Sequence, residues 1–332
     1  MRNRRNDAFL WILLLVVLVA GIGLLGWQNY EYAKANTGGN DFLMYWMSTR
    51  SFLMDGTNPY GDEVTARTQE FAYGGPPQPG QPSLRMVYPL YSMAIILPFA
   101  LIPDFNVARA VFSTVLEISL LLIAFFAIRL ARWRVSPLEL ILYLALMLFG
   151  FHSIQPLLDG NMSILVALFV VSALLALKNG GDALAGILLA FSTIKPNVVV
   201  LLVAYLLIWS LLSGRRSLAG YFAGAVFILS LSGMLLMPDW IWQNLIAVVQ
   251  FPTNQPPATV GAVLRQTFPA MGDRIARLMY GVIIGMLVTE WWLNRRAEFR
   301  GALWTSLFTL TLTAWVGIPT APQNFIVLLP AT

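Results

Sequence analysis

Residues 8–26 read AFLWILLLVVLVAGIGLLG, and Arg2, Arg4 and Arg5 precede them. A helix needs about 20 apolar residues to cross a bilayer, so this uncharged stretch predicts a membrane span. The run is long for the apolar part of a signal peptide, and no small-x-small cleavage pattern follows it before Trp27. The stretch therefore indicates an uncleaved anchor whose N-terminus lies in the cytoplasm, where basic flanks concentrate.

The rest of the chain has the same apolar character. Of its 332 residues, 58% are hydrophobic and 11% are charged, whereas soluble domains are about 45–50% apolar and about 25% charged. Alternating strand patterns are absent, which favours helices over a barrel. We therefore expect an all-α, polytopic transmembrane helical bundle that forms a single membrane domain over residues 1–332. The further apolar runs are residues 88–102, 108–128, 138–155, 164–177, 183–194, 198–212, 219–237, 276–293 and 302–318.

Basic residues lie in short clusters between these runs, so the net charge of +5 indicates membrane orientation rather than nucleic-acid binding. We place every cluster in the cytoplasm, which leaves residues 27–87 as a long first extracytoplasmic loop. The number of crossings is then right if residues 88–102, which are short and flanked by prolines, enter the membrane from the outer face without crossing it. The alternative is that the Arg129 cluster is an exception to the charge rule. The clusters are Arg129/Arg132/Arg134, Lys178, Arg215/Arg216 and Arg295/Arg296/Arg300, and the other outer loops are residues 155–163, 195–197, 238–274 and 319–324.

The first outer loop contains a candidate catalytic acid. Asn40 and Asp41 follow two glycines, where an Asx residue favours a helix start, and an amphipathic stretch continues to Met54. Such a helix would lie at the membrane interface with Asp41 at the mouth of the bundle. The alternative interpretation is that Asp41 only caps the helix.

Among the basic residues on the outer side, where the charge rule disfavours them, two are candidates for binding an anion. Lys195 precedes a proline after a short apolar run, and Arg265 lies in the loop of residues 238–274. Either residue could bind a phosphate. A snorkelling lysine and a solvated loop arginine are the alternative interpretations.

Two further residues are weaker candidates. His152 is the one histidine and the chain has no cysteine, so the sequence offers no metal-ligand set and no disulfide, and we expect no cofactor. His152 could bind a phosphate or a sugar hydroxyl, or form a structural hydrogen bond at a helix end. Glu117 lies inside an apolar run with no evident partner, and intramembrane acids are candidates for function.

Short polar motifs recur between the apolar runs: Asn40-Asp41-Phe42, Asp55-Gly56-x-Asn58-Pro59-Tyr60, Val87-Tyr88-Pro89-Leu90, Asp159-Gly160-Asn161, Lys195-Pro196, Asn254-Gln255 with Arg265, and Gln323-Asn324. Their order resembles that of glycosyltransferase family 87, a branch of the GT-C membrane glycosyltransferases, over nearly the whole chain. The family often has Tyr-Pro-Pro at the third motif and Gly-Gln-x-Asn at the fourth. It also continues with further spans, whereas this chain stops inside an apolar run, residues 325–330, so we expect C-terminal spans to be missing.

The resemblance implies a GT-C-like fold and transfer of a hexose, mannose, from a polyprenyl-phosphate-linked donor at the outer face of a bacterial plasma membrane. It implies that Asp41 is the general base that activates a hydroxyl of a lipid or glycan acceptor for inverting attack. Lys195 and Arg265 would bind the donor phosphate, and no metal would be required. The substrate cavity would be lined by Tyr88, His152, Asn161 and Gln323.

Two other functions remain open from the sequence. A lipid or glycan transporter or flippase would explain the many spans, although transporters often contain internal repeats and none is evident here. An enzyme similar to the O-antigen ligases would also use a polyprenyl-linked donor. That arrangement would move the key residues into residues 238–274 and make Asp41 dispensable.

Overall fold

The computed structural model describes residues 4–36, 38, 40–250, 259–318 and 320–331, with the backbone alone for residues 4–12, 14, 330 and 331. Its regular structure is helical, and the described residues form no strand. The α-helices are α1 (Arg4–Ala35), α2 (Asn40–Asp55), α3 (Asp62–Tyr73), α4 (Met93–Ala100), α5 (Phe105–Ala131), α6 (Pro137–Phe149), α7 (Phe151–Asp159), α8 (Ser163–Lys178), α9 (Asp182–Ser192), α10 (Pro196–Leu212), α11 (Arg216–Leu236), α12 (Trp240–Val249), α13 (Val260–Thr267), α14 (Gly272–Asn294) and α15 (Phe299–Thr313). Two 3-10 segments, Leu90–Ser92 and Pro322–Ala331, complete the described elements.

Three of these helices, α5, α11 and α14, are long and apolar enough to cross a membrane within the part of the chain that the structure describes. The bent pair α6 and α7 adds a fourth if it forms one span. Large apolar side chains project outward from α11 and α14, among them Leu235 at 79% exposure and Leu278 at 73%, as expected for helices that face lipid. The prediction of an all-α polytopic membrane protein is thus confirmed.

The predicted run of residues 138–155 is not one straight helix. It breaks at Gly150, where the backbone is extended, and α6 and α7 meet there at 41°. A Cβ on Gly150 would lie 2.5 Å from the Leu146 carbonyl oxygen, so only glycine permits this bend. Hydropathy does not register the break because apolar residues continue on both sides of it.

The run of residues 88–102 forms the 3-10 segment Leu90–Ser92 followed by α4. Together these elements are about 18 Å long, which is less than two thirds of the roughly 30 Å bilayer core. They are attached to α2, because Arg50 donates to the Ala100 carbonyl and Trp46 to the Ile102 carbonyl. The run is thus a short helix docked on α2, and the expectation that it does not cross the membrane stays a prediction.

Helix α1 has 32 residues, is about 48 Å long, and contains the predicted first span. It packs against α5, where the Asn29 amide donates to Glu117 at 2.9 Å and to Thr114 at 3.0 Å. The intramembrane acid therefore has a partner that the sequence did not reveal. A polar pair of this kind joins two apolar helices at a defined register.

The basic clusters meet at one end of the bundle, which we call the basic end. Lys178, at the end of α8, donates to the Leu130 carbonyl at the end of α5. Arg215 pairs with Asp182 at the start of α9. Trp209, near the end of α10, donates to the Ala297 carbonyl. Because α8 and α10 end there, their first residues, Ser163 and Pro196, lie at the opposite end, the site end.

Candidate active site

Helix α2 brings Asp41 to the site end. Its first turns are enclosed, since Phe42 stacks on Phe112 with ring centroids 4.6 Å apart and Trp46 packs edge-on against Phe105. The expected helix is therefore present, with its N-terminal half inserted among the bundle helices and its last residues, Leu53 and Met54, exposed. Asp41, in the first turn, is half-buried.

The turn after α7 carries the group that contacts Asp41. Gly160 has a left-handed backbone with φ of +66°, and a Cβ on it would lie 2.5 Å from the Phe42 Cβ. Glycine therefore allows this turn to press directly against α2. The next residue, Asn161, then donates its amide to the Asp41 carboxylate at 2.5 Å.

Lys195 completes a chain of hydrogen bonds. It precedes α10, is 5% exposed, and donates from its ammonium to Asn161 Oδ1 at 2.7 Å. The Ser163 backbone N–H donates to the same oxygen at 2.8 Å. Two donors on Oδ1 orient the Asn161 amide, so that its NH₂ group faces Asp41. We refer to this arrangement as the Asp41–Asn161–Lys195 chain.

Burial raises the pKa of Asp41 and nearby Asp159 raises it further, while Lys195 and the Asn161 hydrogen bond oppose the shift. Burial also lowers the pKa of Lys195 to about 8, against the opposing charges of Asp41 and Asp159. At neutral pH the lysine is therefore still mostly protonated, and the carboxyl group is a stronger base than an exposed aspartate. These are the properties of a proton acceptor beside a cation.

Tyr88 lies in this site as predicted. The Lys195 ammonium lies 5.5 Å from the centre of its ring, within reach of a cation–π contact. Its ring packs edge-on against Tyr45, one turn beyond Asp41 on α2. Tyr60, from the Asn58-Pro59-Tyr60 motif, donates to the Tyr88 carbonyl at 2.8 Å. The second and third motifs of the sequence therefore meet here.

In the Gln323-Asn324 motif, the residue that is hydrogen-bonded into the site is Asn324 rather than the predicted Gln323. Asn324 is 7% exposed and accepts a hydrogen bond from Ser163 at 2.8 Å, which connects it to the Asp41–Asn161–Lys195 chain. Gln323 is half-buried, and its side chain makes no hydrogen bond to a described residue. Both residues belong to the C-terminal motif, and the resemblance implied that Gln323 lines the cavity.

Two charged residues of the site were missed. Asp159 is half-buried, accepts a hydrogen bond from Gln155 at 3.1 Å, and influences both Asp41 and Lys195 electrostatically. Arg109 is 4% exposed near the start of α5. An arginine inside the apolar run of residues 108–128 is a signal that could have found it, because intramembrane charges are seldom incidental.

Arg265 and His152 are not joined to the Asp41–Asn161–Lys195 chain by any contact among the described residues. Arg265, on α13, pairs with Asp273 at 3.2 Å, with its side chain about half exposed. His152 is exposed, and its ring lies against Phe325. The Asn254-Gln255 motif, in residues 251–258, lies outside the described residues. The described residues contain no group of three side chains that could hold a metal ion.

The family model of glycosyltransferase family 87 matches residues 86–324, which is more than half of the chain. The matched range contains Tyr88, Arg109, Asn161 and Lys195, whereas Asp41 precedes it. No curated protein and no solved structure matches the chain. The resemblance noted from the sequence motifs is therefore confirmed by an independent comparison.

Proposed function

The chain belongs to glycosyltransferase family 87, and we propose that it transfers a hexose, mannose, from a polyprenyl-phosphate-linked donor to a hydroxyl of a lipid or glycan acceptor. The family makes it a membrane glycosyltransferase that takes a sugar donor and an acceptor. The observation that carries the more specific proposal is the Asp41–Asn161–Lys195 chain, which links a half-buried carboxylate to a buried ammonium through one amide.

In this proposal Asp41 is the general base. Its Oδ2 accepts from Asn161, and no described hydrogen bond occupies its other oxygen. Because burial raises the pKa of this carboxyl group, it can take a proton from an acceptor hydroxyl at an ordinary physiological pH. General-base assistance of this kind contributes about 10²–10⁴-fold to a rate.

Lys195 is the proposed contact to the donor phosphate. An ammonium has three N–H donors, and among the described residues Asn161 takes one of them. The remaining donors are available for phosphate oxygens, whose negative charge would offset the cost of burying the lysine. We propose Arg265 as the second phosphate contact, for which its side chain would exchange Asp273 for the donor.

The reaction then balances without a further co-reactant. The acceptor oxygen forms a bond to the anomeric carbon of the sugar as its proton moves to Asp41. The bond between that carbon and the phosphate oxygen breaks, and its electron pair leaves with the polyprenyl phosphate. Attack opposite the leaving group inverts the anomeric centre, and Lys195 stabilises the charge that accumulates on the phosphate.

The charge distribution of the bundle supports an extracytoplasmic site. Basic clusters beside the spans mark the cytoplasmic side of membrane proteins, and here the clusters between the spans lie at the basic end, away from Asp41. We therefore propose a multi-pass protein of the bacterial plasma membrane with a cytoplasmic N-terminus. A donor attached to membrane lipid suits such a site, because nucleotide sugars remain in the cytoplasm.

The test is transfer of radiolabelled mannose from polyprenyl-phosphate-mannose to membrane lipids, measured in membranes with equal amounts of each variant. Asp41→Asn keeps the side-chain shape and removes the base, so transfer should fall by about 10²–10⁴-fold. Asp55→Asn is the matched control, because Asp55 ends the same helix as an exposed partner of Arg67. Its transfer should equal that of the wild type.

Transfer that persists in Asp41→Asn would contradict the base assignment and favour an arrangement centred on residues 238–274. If the wild-type chain is present and folded but transfers sugar from no polyprenyl-phosphate-linked hexose, the proposed donor class is wrong.

A further inference from the structure

Arg109 occupies a position between two helix ends at the site end. From the first turns of α5, its guanidinium donates to the Asn36 carbonyl at 2.8 Å and to the Leu158 carbonyl at 3.4 Å. The side chain is 4% exposed, and Tyr32 lies under the guanidinium at 5.7 Å. Arg109 has no place in the transfer chemistry proposed above.

Both carbonyls belong to helix C-termini. Helix α1 ends at Ala35, directly before Asn36, and α7 ends at Asp159, directly after Leu158. The last carbonyls of a helix lack partners within the helix, and the helix dipole places partial negative charge there. One cation between two such ends satisfies both, and the nearby carboxylate of Asp159 adds an opposite charge.

The two joined segments are the ones that lead into the active site. The chain leaving α1 reaches Asp41 at the start of α2, and the chain leaving α7 turns at Gly160 to present Asn161. We propose that Arg109 is a positioning residue that ties these two segments together and so sets the hydrogen bond between Asn161 and Asp41. Its effect on sugar transfer rests on the proposed function, whereas its effect on the geometry does not.

Arginine suits this role better than lysine. The guanidinium is a rigid plane whose separate N–H groups point in different directions, so one side chain can reach carbonyls of two helices. A lysine ammonium at the end of a flexible stem would keep the charge and lose the fixed spacing. Arg109→Lys is therefore the variant that separates positioning from charge.

The functional test compares Arg109→Lys with Arg215→Lys in the mannose transfer assay. Arg215 is a matched control, because it likewise joins a helix-end carbonyl, that of Leu177, to a neighbouring helix start, at the basic end. For Arg109→Lys we expect kcat to fall on the order of 10- to 100-fold, with KM for the donor within about threefold of the wild type because Arg109 does not touch substrate. Arg215→Lys should keep both constants near the wild-type values.

The pH dependence provides a readout that general destabilisation would not change. The Asn161 hydrogen bond lowers the pKa of Asp41, so a looser contact raises that pKa and moves the acid limb of the pH–rate profile upward. The other groups that face Asp41 are Lys195, Asp159, Tyr45, Tyr73 and Tyr88, and they are the same in both variants. Equal losses in the two variants with no shift of the acid limb would contradict the proposal.

A second measurement is independent of enzymatic activity. The chain contains no cysteine, so Asp41→Cys with Asn161→Cys places one thiol pair where the native side chains touch. A short bifunctional thiol-reactive reagent, a bis-methanethiosulfonate that loses one sulfinate at each cysteine, should join the pair several-fold more slowly when Arg109→Met is added, and at an unchanged rate when Arg215→Met is added. Equal rates in both backgrounds would overturn the proposal, whereas failure of the proposed function would appear separately as transfer that survives Asp41→Asn.

Discussion

At the scale of single residues, Asn161 is central because its amide has two chemically different ends. Its oxygen accepts from Lys195 and from the Ser163 N–H, and its NH₂ group donates to Asp41. Charge on the lysine therefore stabilises the ionised carboxylate both directly and through a polarised amide. The protonation states of Asp41 and Lys195 are consequently linked, although the two residues hydrogen-bond to Asn161 and not to each other.

This linkage predicts the pH profile of sugar transfer. In the wild type, kcat/KM should rise as Asp41 loses its proton and fall through a pH of about 8 as Lys195 loses its own. Lys195→Arg should remove the alkaline limb, since a guanidinium stays protonated up to a pH of about 12. Lys178→Arg is the control, because Lys178 binds backbone carbonyls at the basic end, and its profile should match the wild type. An alkaline limb that persists in Lys195→Arg would assign it to another group.

At the scale of elements, the site depends on how closely the turn between α7 and α8 approaches α2. Gly160 is in contact with Phe42, which in turn is stacked on Phe112 of α5. Neither ring can move far without disturbing the packed interior, and packed interiors tolerate added atoms poorly. The approach of the turn therefore requires both the left-handed backbone and the missing side chain of glycine.

We predict that Gly160→Ala disrupts the site more than its backbone strain explains. Gly180→Ala is a matched control, because Gly180 also has a left-handed backbone, with φ of +78°, but no atom lies within 4 Å of an added Cβ. The control should cost about 1–2 kcal/mol of stability and retain transfer. Gly160→Ala should lower the melting temperature further and reduce transfer per folded molecule on the order of 100-fold. Thermal unfolding in detergent together with the transfer assay provides both values, and equal losses would contradict the packing argument.

At the scale of the whole molecule, the bundle has two chemically distinct ends. Lys178, Arg215 and the residues around Ala297 gather at the basic end. The Asp41–Asn161–Lys195 chain and Asn324 gather at the other. Charge asymmetry of this kind orients membrane proteins during insertion, so the proposed orientation and the proposed location of the chemistry rest on the same arrangement.

Single-cysteine labelling tests the proposed orientation without any background, because the chain has no native cysteine. Glu70→Cys places an exposed thiol on α3, in the first outer loop, and Asn179→Cys places one at the basic end. A membrane-impermeant maleimide added to intact cells should label Glu70→Cys and should label Asn179→Cys only after permeabilisation. The opposite pattern would place the site in the cytoplasm and exclude a donor confined to the outer face.

Much of the candidate active site could be inferred from motifs, but not how its members connect. Asp41, Lys195, Tyr88 and Asn161 were all singled out from the sequence, and the structure gathers them at one place. The sequence favoured Gln323 over Asn324 and did not identify Arg109. Gln323 and Asn324 both have amide side chains and differ in the direction in which those side chains point, so no local sequence pattern distinguishes them.

The sequence by itself determined the helical membrane fold, the family and the sorting of basic residues, because hydropathy and charge act locally along the chain. Only the tertiary structure decided that Asp41 meets Asn161, 120 positions away, and that Lys195 meets the same amide from 34 positions away. Such contacts depend on where a turn approaches a helix and which carbonyls an arginine can reach. Those distances arise from the packing of the whole bundle and are encoded in no single segment.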